Sequence, residues 1–153
     1  MNWLGRRKGR AAGSGRRVLV AFSGDRLDKV VLDAALRIAR AEDATIVPAY
    51  LIAVPLTQPI DSPLHEVVER ALPILEAIEH DAEKAGVPVD ARMERGRSLR
   101  DALGRLWSVE HFDRVILPAS TSSSRGFGER DLAWALTHAP TETLVLRPAP
   151  EAA

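Results

Sequence analysis

Short apolar runs and longer amphipathic stretches alternate along this chain, and their order predicts an α/β domain. The first run, Val18-Leu19-Val20-Ala21-Phe22, is almost uniformly apolar and stops at Ser23-Gly24-Asp25, as expected of a strand buried on both faces. Val30, Val31, Ala34, Ala35, Ile38 and Ala39 then recur at helical spacing, with Asp28, Lys29, Asp33, Arg37 and Arg40 around the rest of the cylinder. A second strand is predicted over residues 44–53, where Pro48 cannot donate to a ladder and implies an edge or a bulge. After a Pro-rich loop, Ser62 as N-cap and Pro63 at the first helical position open a helix over residues 64–85 that Gly86 stops. Pro73 should kink or divide it.

The second half repeats the alternation. Residues 87–93 (VPVDARM) read as a third strand, Glu94 to Arg97 as a turn, and Ser98 with Asp101 as a capping-box-like start to a helix whose apolar face is Leu99, Ala102, Leu103, Leu106 and Trp107. Residues 114–118 (RVILP) are a fourth strand, 119–128 a Ser/Gly-rich loop, 129–138 a helix and 142–147 (ETLVLR) a fifth strand. Strands separated by helices imply βαβ crossovers, hence an open five-stranded parallel sheet with helices on both faces, a Rossmann-like architecture. Ligands of such sheets sit at the carboxyl ends of the strands.

Composition narrows the picture without changing it. A chain of 153 residues, 46% hydrophobic, suffices for one core. Residues 16–150 are expected to form that domain, residues 1–15 an unstructured basic arm and residues 151–153 a tail. Lysine plus arginine equal aspartate plus glutamate at 21 each, but six bases and no acid precede Val18. The remaining 15 bases face all 21 acids, a net charge of −6 that argues against nucleic acid as a partner of the folded part. The basic arm with Trp3 and Leu4 reads as a solubilising tail or as an electrostatic contact to acidic lipid or nucleic acid. No cysteine is present, which excludes disulfides, thiolate metal sites and a thiol nucleophile. No apolar run approaches the length of a membrane span, and a cytoplasmic protein is the expectation.

The candidate chemistry lies in loops. Residues 120–124 carry five hydroxyls, among them Ser120, Ser122, Ser123 and Ser124, and Arg125 can fork onto a phosphate. Gly126 and Gly128 admit close backbone approach, and the following helix supplies a positive end. The same composition also describes an ordinary connection, in which Glu129 serves the helix dipole. Ser23 and Asp25 end the first strand, and Asp25 can accept from a ribose hydroxyl or cap the next helix. Tyr50 and Leu51, ending the second strand, can wall a base or fill the sheet edge. The histidines His65, His80, His111 and His138 show no metal-ligand spacing, Ser23 lacks a G-x-S-x-G elbow, and the acids of residues 66–83 form a solvated face. No catalytic constellation emerges.

These motifs, in this order, resemble the universal stress protein family. VLVAFSGD stands where that family has a strand ending in Asp-Gly-Ser, and MERGRSLRDAL where it has a strand, a Gly and a capped helix. FDRVILPAS resembles the strand leading into its phosphate loop, and LAWALTHAPTETLVLRP its last helix and terminal strand. The resemblance implies an adenine nucleotide alpha hydrolase-like fold, a regulatory role in stress responses, ATP or another adenine nucleotide as ligand, and a homodimer joined, with possible strand exchange, through the last strand at Thr143-Leu144-Val145-Leu146. The implied nucleotide site comprises Ser23, Asp25, Leu51, Ser120, Ser122, Ser123, Ser124, Arg125, Gly126 and Gly128. The family's G-x2-G-x9-G-[ST] loop is altered here: Ala119 and Ser122 fall near its first two glycines, Glu129-Arg130 replaces its Gly-Ser, and Ser23 replaces the first-strand Asp. Three readings follow: a nucleotide-binding regulatory module, a dimer of the same fold acting by protein contact, and an ATP-cleaving enzyme. The last rests on FSGDRLD, which resembles the Ser-Gly-Gly-x-Asp-Ser loop of ATP pyrophosphatases without its second glycine and final serine.

Overall fold

A computed structural model of the chain describes residues 15–119 and 127–147. The arm, the tail and loop residues 120–126 lie outside them. The elements follow as β1 (Arg17–Phe22), α1 (Lys29–Ala41), β2 (Thr45–Ala53), α2 (His65–Lys84), β3 (Arg92–Gly96), α3 (Leu99–Val109), β4 (Arg114–Pro118), α4 (Glu129–His138) and β5 (Thr143–Leu146). All neighbouring strands pair in parallel, in the order β3-β2-β1-β4-β5. The five-stranded parallel sheet expected from the alternation is therefore the one observed.

Strand periodicity divides the core into two layers. Val18, Val20 and Phe22 of β1 join Ile46, Tyr50 and Ile52 of β2 beneath α1 and α2, while Leu19 and Ala21 join Val47, Ala49 and Leu51 beneath α3 and α4. Both faces of β1 are fully covered, which is why its sequence is an apolar run rather than an alternation.

Several local expectations are corrected. The face that α1 buries is Val31, Leu32, Ala35, Leu36 and Ala39, and Val30 stands outside it, 60% exposed. Helix α2 begins at His65, and its N-cap position is Leu64 in a left-handed conformation. Ser62 caps nothing; its hydroxyl donates to Gln58 Oε1. The cause is Arg95 of β3, whose guanidinium gathers the carbonyls of Ile60, Ser62 and Pro63 and holds that segment out of the helix. Pro73 does not divide α2, because it lies on the exposed face where water can serve the carbonyl left without its donor.

Pro48 marks neither an edge nor a bulge. β2 is interior, and alternation points the donor that Pro48 lacks at β3. There the ladder is open: Ile46 makes an isolated bridge to Val89, and continuous pairing starts only at Ala49 with Arg92. The third strand therefore begins five residues later than its alternation suggests and runs through Glu94 and Arg95, which had the composition of a turn.

The amino ends of the strands are tied by charge. Arg17 Nη2 lies 2.7 Å from both Asp90 Oδ2 and Glu110 Oε1, and Arg92 pairs with the same two acids. Arg114 pairs with Glu42 and Glu142 beside them. Burial pushes the Asp90 carboxyl up, and the hydrogen bonds and charges of Arg17 and Arg92 more than reverse this, leaving it below the ordinary value.

Candidate functional site at the carboxyl end of the sheet

Chain order reverses beside β1: the path runs outward from β1 through β2 to β3, then returns to β4 on the other side. In open sheets of this kind the ligand crevice lies at such a point, outside the carboxyl ends of the two strands that flank it, here β1 and β4. On the β1 side the turn is Ser23-Gly24-Asp25. Ser23 is buried, Gly24 takes φ +91°, a conformation glycine reaches without strain, and Asp25 is exposed. Helix α1 is capped by Asp28, whose carboxylate accepts from Val30 N at 2.9 Å. Of the two roles open to Asp25, capping is thus taken by another residue.

Tyr50 fixes this turn from below. Its ring, 3% exposed, pairs in register with Phe22 of β1 and meets it edge to face at 5.4 Å. Its hydroxyl donates to the Gly24 carbonyl at 2.6 Å. Burial and the charge of Asp25 raise the Tyr50 pKa, offsetting the Arg70 charge and the Gly24 bond, which act the other way. Tyr50 therefore fills an interior position rather than a sheet edge. Leu51, 2% exposed, points to the opposite layer and packs in the core beneath α3 and α4.

Across the crevice, Phe127 is buried and anchors the return of the chain into α4. Gly128 is the N-cap of α4 with φ −82°, it has no side chain to cap the first turn, and among the described residues a Cβ built on it would meet nothing within 4 Å. A helix start of this kind points its first N–H groups outward, where an acceptor suits them. Glu129 and Asp131 stand in the first turn, but Asp131 is engaged by Arg100 of α3 at 2.8 Å. The other loop residues named from the sequence, Ser120, Ser122, Ser123, Ser124, Arg125 and Gly126, lie outside the described residues.

A further feature of this end of the sheet was not legible in the sequence. Residues 54–64 form a strap over the carboxyl ends of β2 and β3, held by Arg95 as described and by Arg97, which donates to Pro55 O at 2.8 Å and Gln58 O at 2.7 Å. Arg95 and Arg97 looked like turn residues; only the fold brings them to carbonyls more than thirty positions away. Among the described residues, no cluster of His, Asp or Glu could hold a metal ion, and no helix is long and apolar enough to cross a membrane.

The strand order defines a doubly wound α/β protein, a class whose ligands sit at the topological switch point. Solved structures of universal stress proteins share this architecture. A universal stress protein family protein from Burkholderia pseudomallei superposes with a TM-score of 0.67 at 19% identity, over 89% of this chain and 98% of that one. A universal stress protein in complex with cAMP gives 0.65 at 21% identity, over 86% and 96%. The universal stress protein from Archaeoglobus fulgidus in complex with dAMP gives 0.63 at 14% identity, over 85% and 96%. No protein-family model and no curated protein matches the sequence. This chain has the universal stress protein fold, as its motif order implied.

Proposed function

We propose that this chain is a cytoplasmic, stress-responsive regulatory module that binds an adenine nucleotide in the crevice between β1 and β4. The observation that carries the reading is that β1 and β4 are neighbours at the switch point, so that the exposed carboxylate of Asp25 follows the carboxyl end of one and the start of α4 at Gly128 closes the loop that leaves the other. The carboxylate suits ribose hydroxyls and the helix start suits phosphate. The cAMP and dAMP complexes of proteins with this fold support the ligand class. ATP is one candidate among adenine nucleotides, with the loop serines and Arg125 as phosphate donors.

The experiment is calorimetric titration of nucleotide-stripped protein with AMP, cAMP, ADP and Mg-ATP, beside Gly128→Asp. The space at Gly128 admits the side chain, and Asp is at least as good an N-cap as Gly, so the variant should fold with unchanged or slightly higher stability. It should lose nucleotide binding, because a carboxylate then occupies the phosphate position. Absence of saturable heat with every nucleotide up to millimolar concentration sinks the reading.

A second reading, a homodimer acting by protein contact, has its own observation. β5 is an edge strand; Glu142 and Leu146 turn their carbonyls to β4, so Thr143 and Val145 turn their backbone groups outward. Those groups can pair with a second copy. Val145→Pro removes one outward donor without touching the β4 ladder and should shift a sedimenting dimer to monomer.

A further inference from the structure

Tyr50 is the sole tyrosine of the chain, and nothing about its place in the sheet requires a hydroxyl. It sits within β2 opposite Phe22, the last residue of β1, and a phenylalanine ring would fill the same space beneath α1 and α2. A buried hydroxyl carries a desolvation cost unless it is bonded, and here its one bond goes to the turn that borders the ligand crevice. Gly24, whose carbonyl accepts it, has a conformation of high backbone freedom, and Asp25 follows at once with no hydrogen bond or ion pair to another described residue. The backbone on one side of this turn is β1, rigid and fully buried; on the other, Asp28 begins α1. Between those fixed points Leu27 packs against the core, and the Tyr50 bond ties the Gly24 carbonyl to it.

From this geometry we infer that Tyr50 is the positioning residue of the nucleotide site: its hydroxyl, anchored by the buried ring, fixes the 23–25 turn so that the Asp25 carboxylate faces the crevice ready to accept from a nucleoside's ribose. The inference rests on the nucleotide reading and adds to it a specificity element seated on β2 rather than in the phosphate loop. Preorganisation of this kind acts on affinity by removing the entropy cost of ordering the turn upon binding. It should matter for nucleotides and nucleosides, whose ribose meets the turn, and be indifferent for inorganic pyrophosphate, which reaches only the α4 side.

The variant is Tyr50→Phe, which keeps the ring and its contact with Phe22. AMP affinity should fall about five- to tenfold, the worth of one hydrogen bond to a buried partner, while pyrophosphate affinity is unchanged. Amide exchange at Gly24 and Asp25 should quicken in the nucleotide-free variant. In wild-type protein labelled with 3-fluorotyrosine, the single fluorine resonance should move on AMP addition and not on pyrophosphate. Equal AMP affinity in the two proteins, or equal loss of AMP and pyrophosphate, overturns the inference while leaving the nucleotide reading intact. If wild-type protein binds no nucleotide, that reading fails, and unchanged exchange at Gly24 and Asp25 would then overturn the turn-fixing role as well.

Discussion

Gly96 ends β3 at the point where the chain turns into α3, and replacing it by alanine puts the packing of this corner to a direct test. A Cβ at that position would lie 2.3 Å from Ala102 N, 2.8 Å from Ala102 Cα and 2.9 Å from the Asp101 carbonyl carbon. These are backbone atoms of the first turn of α3, so no side chain can rotate aside. Restoring an ordinary contact of 3.4 Å requires a retreat of about 1 Å. That turn is pinned by Ala102 N donating to Ser98 O at 3.0 Å, by the Ser98 cap on Asp101 N at 3.1 Å and by Asp101 Oδ2 on Arg97 N at 2.7 Å. On the other side Gly96 O accepts from Val54 N at 2.7 Å. Overpacking costs about 1–3 kcal/mol when side chains can adapt, and with backbone on both sides the upper end applies, about 3 kcal/mol. For a chain of this size that lowers the melting temperature by about 6–12 °C. Thermal unfolding followed by circular dichroism reads it. A melting temperature within about 2 °C of wild type would refute the close approach of β3 and α3 on which the corner rests.

The remaining expectations use the same readouts. Gly104→Ala, in the middle of α3, should raise stability by about 0.5–1 kcal/mol, because its Cβ meets Trp134 Cη2 at an ordinary 3.6 Å while the helix loses a poor former. Asp90→Asn should cost about 3 kcal/mol at neutral pH, since it leaves half-buried Arg17 and Arg92 sharing Glu110. The folded-state pKa of Asp90 is lowered, so its contribution is complete above the ordinary 3.8 and disappears as pH falls below it; the variant should flatten this part of the acid-unfolding profile. Glu94 is the opposite case: burial raises its pKa against the pull of Arg105 and Arg92, so ionisation above pH 4.5 works against the fold. Glu94→Gln should therefore unfold at equal or higher urea concentration at pH 7 than wild type, and a lower midpoint would contradict that sign.

What the sequence disclosed and what it concealed separate by range. β1, β4, α4 and the Ser98 cap are set by residues within a few positions of one another, and pattern alone placed them. The beginning of β3 depends on Pro48, more than forty residues earlier, opening the ladder opposite Asp90, and the alternation of residues 87–93 carries no trace of it. The start of α2 depends on Arg95, thirty residues later, drawing the Ser62 and Pro63 carbonyls away from the helix axis. Both faces of α1 near its start are apolar, so spacing cannot tell whether Val30 or Leu32 turns inward; the sheet decides. Of the candidate site residues, Ser23 and Asp25 follow a strand end and Gly128 opens a helix, places that announce themselves locally. Tyr50 was visible as a residue but not as a donor, since its acceptor lies 26 positions away on another strand's loop.

The two ends of the sheet are held by different kinds of bond, and the difference bears on where a ligand can act. At the amino ends, Arg17, Asp90, Arg92 and Glu110 form a mostly buried cluster of two cations and two anions, with Arg114, Glu42 and Glu142 beside it. Breaking one member strands a charge in low dielectric, so this end is fixed. At the carboxyl ends the turn after β1 and the strap after β2 are held through neutral carbonyls: Tyr50 on Gly24, Arg97 on Pro55 and Gln58, Arg95 on Ile60 and Pro63. These guanidiniums hydrogen-bond neutral carbonyls, and an anion competes for them with a charge-assisted bond roughly twice as strong. Phosphate arriving at this end can therefore redraw the strap, whereas nothing of comparable strength can redraw the amino end. Limited proteolysis tests the asymmetry: cleavage within residues 54–64 should respond to added nucleotide, and the β1–β3 amino ends should stay protected with or without it.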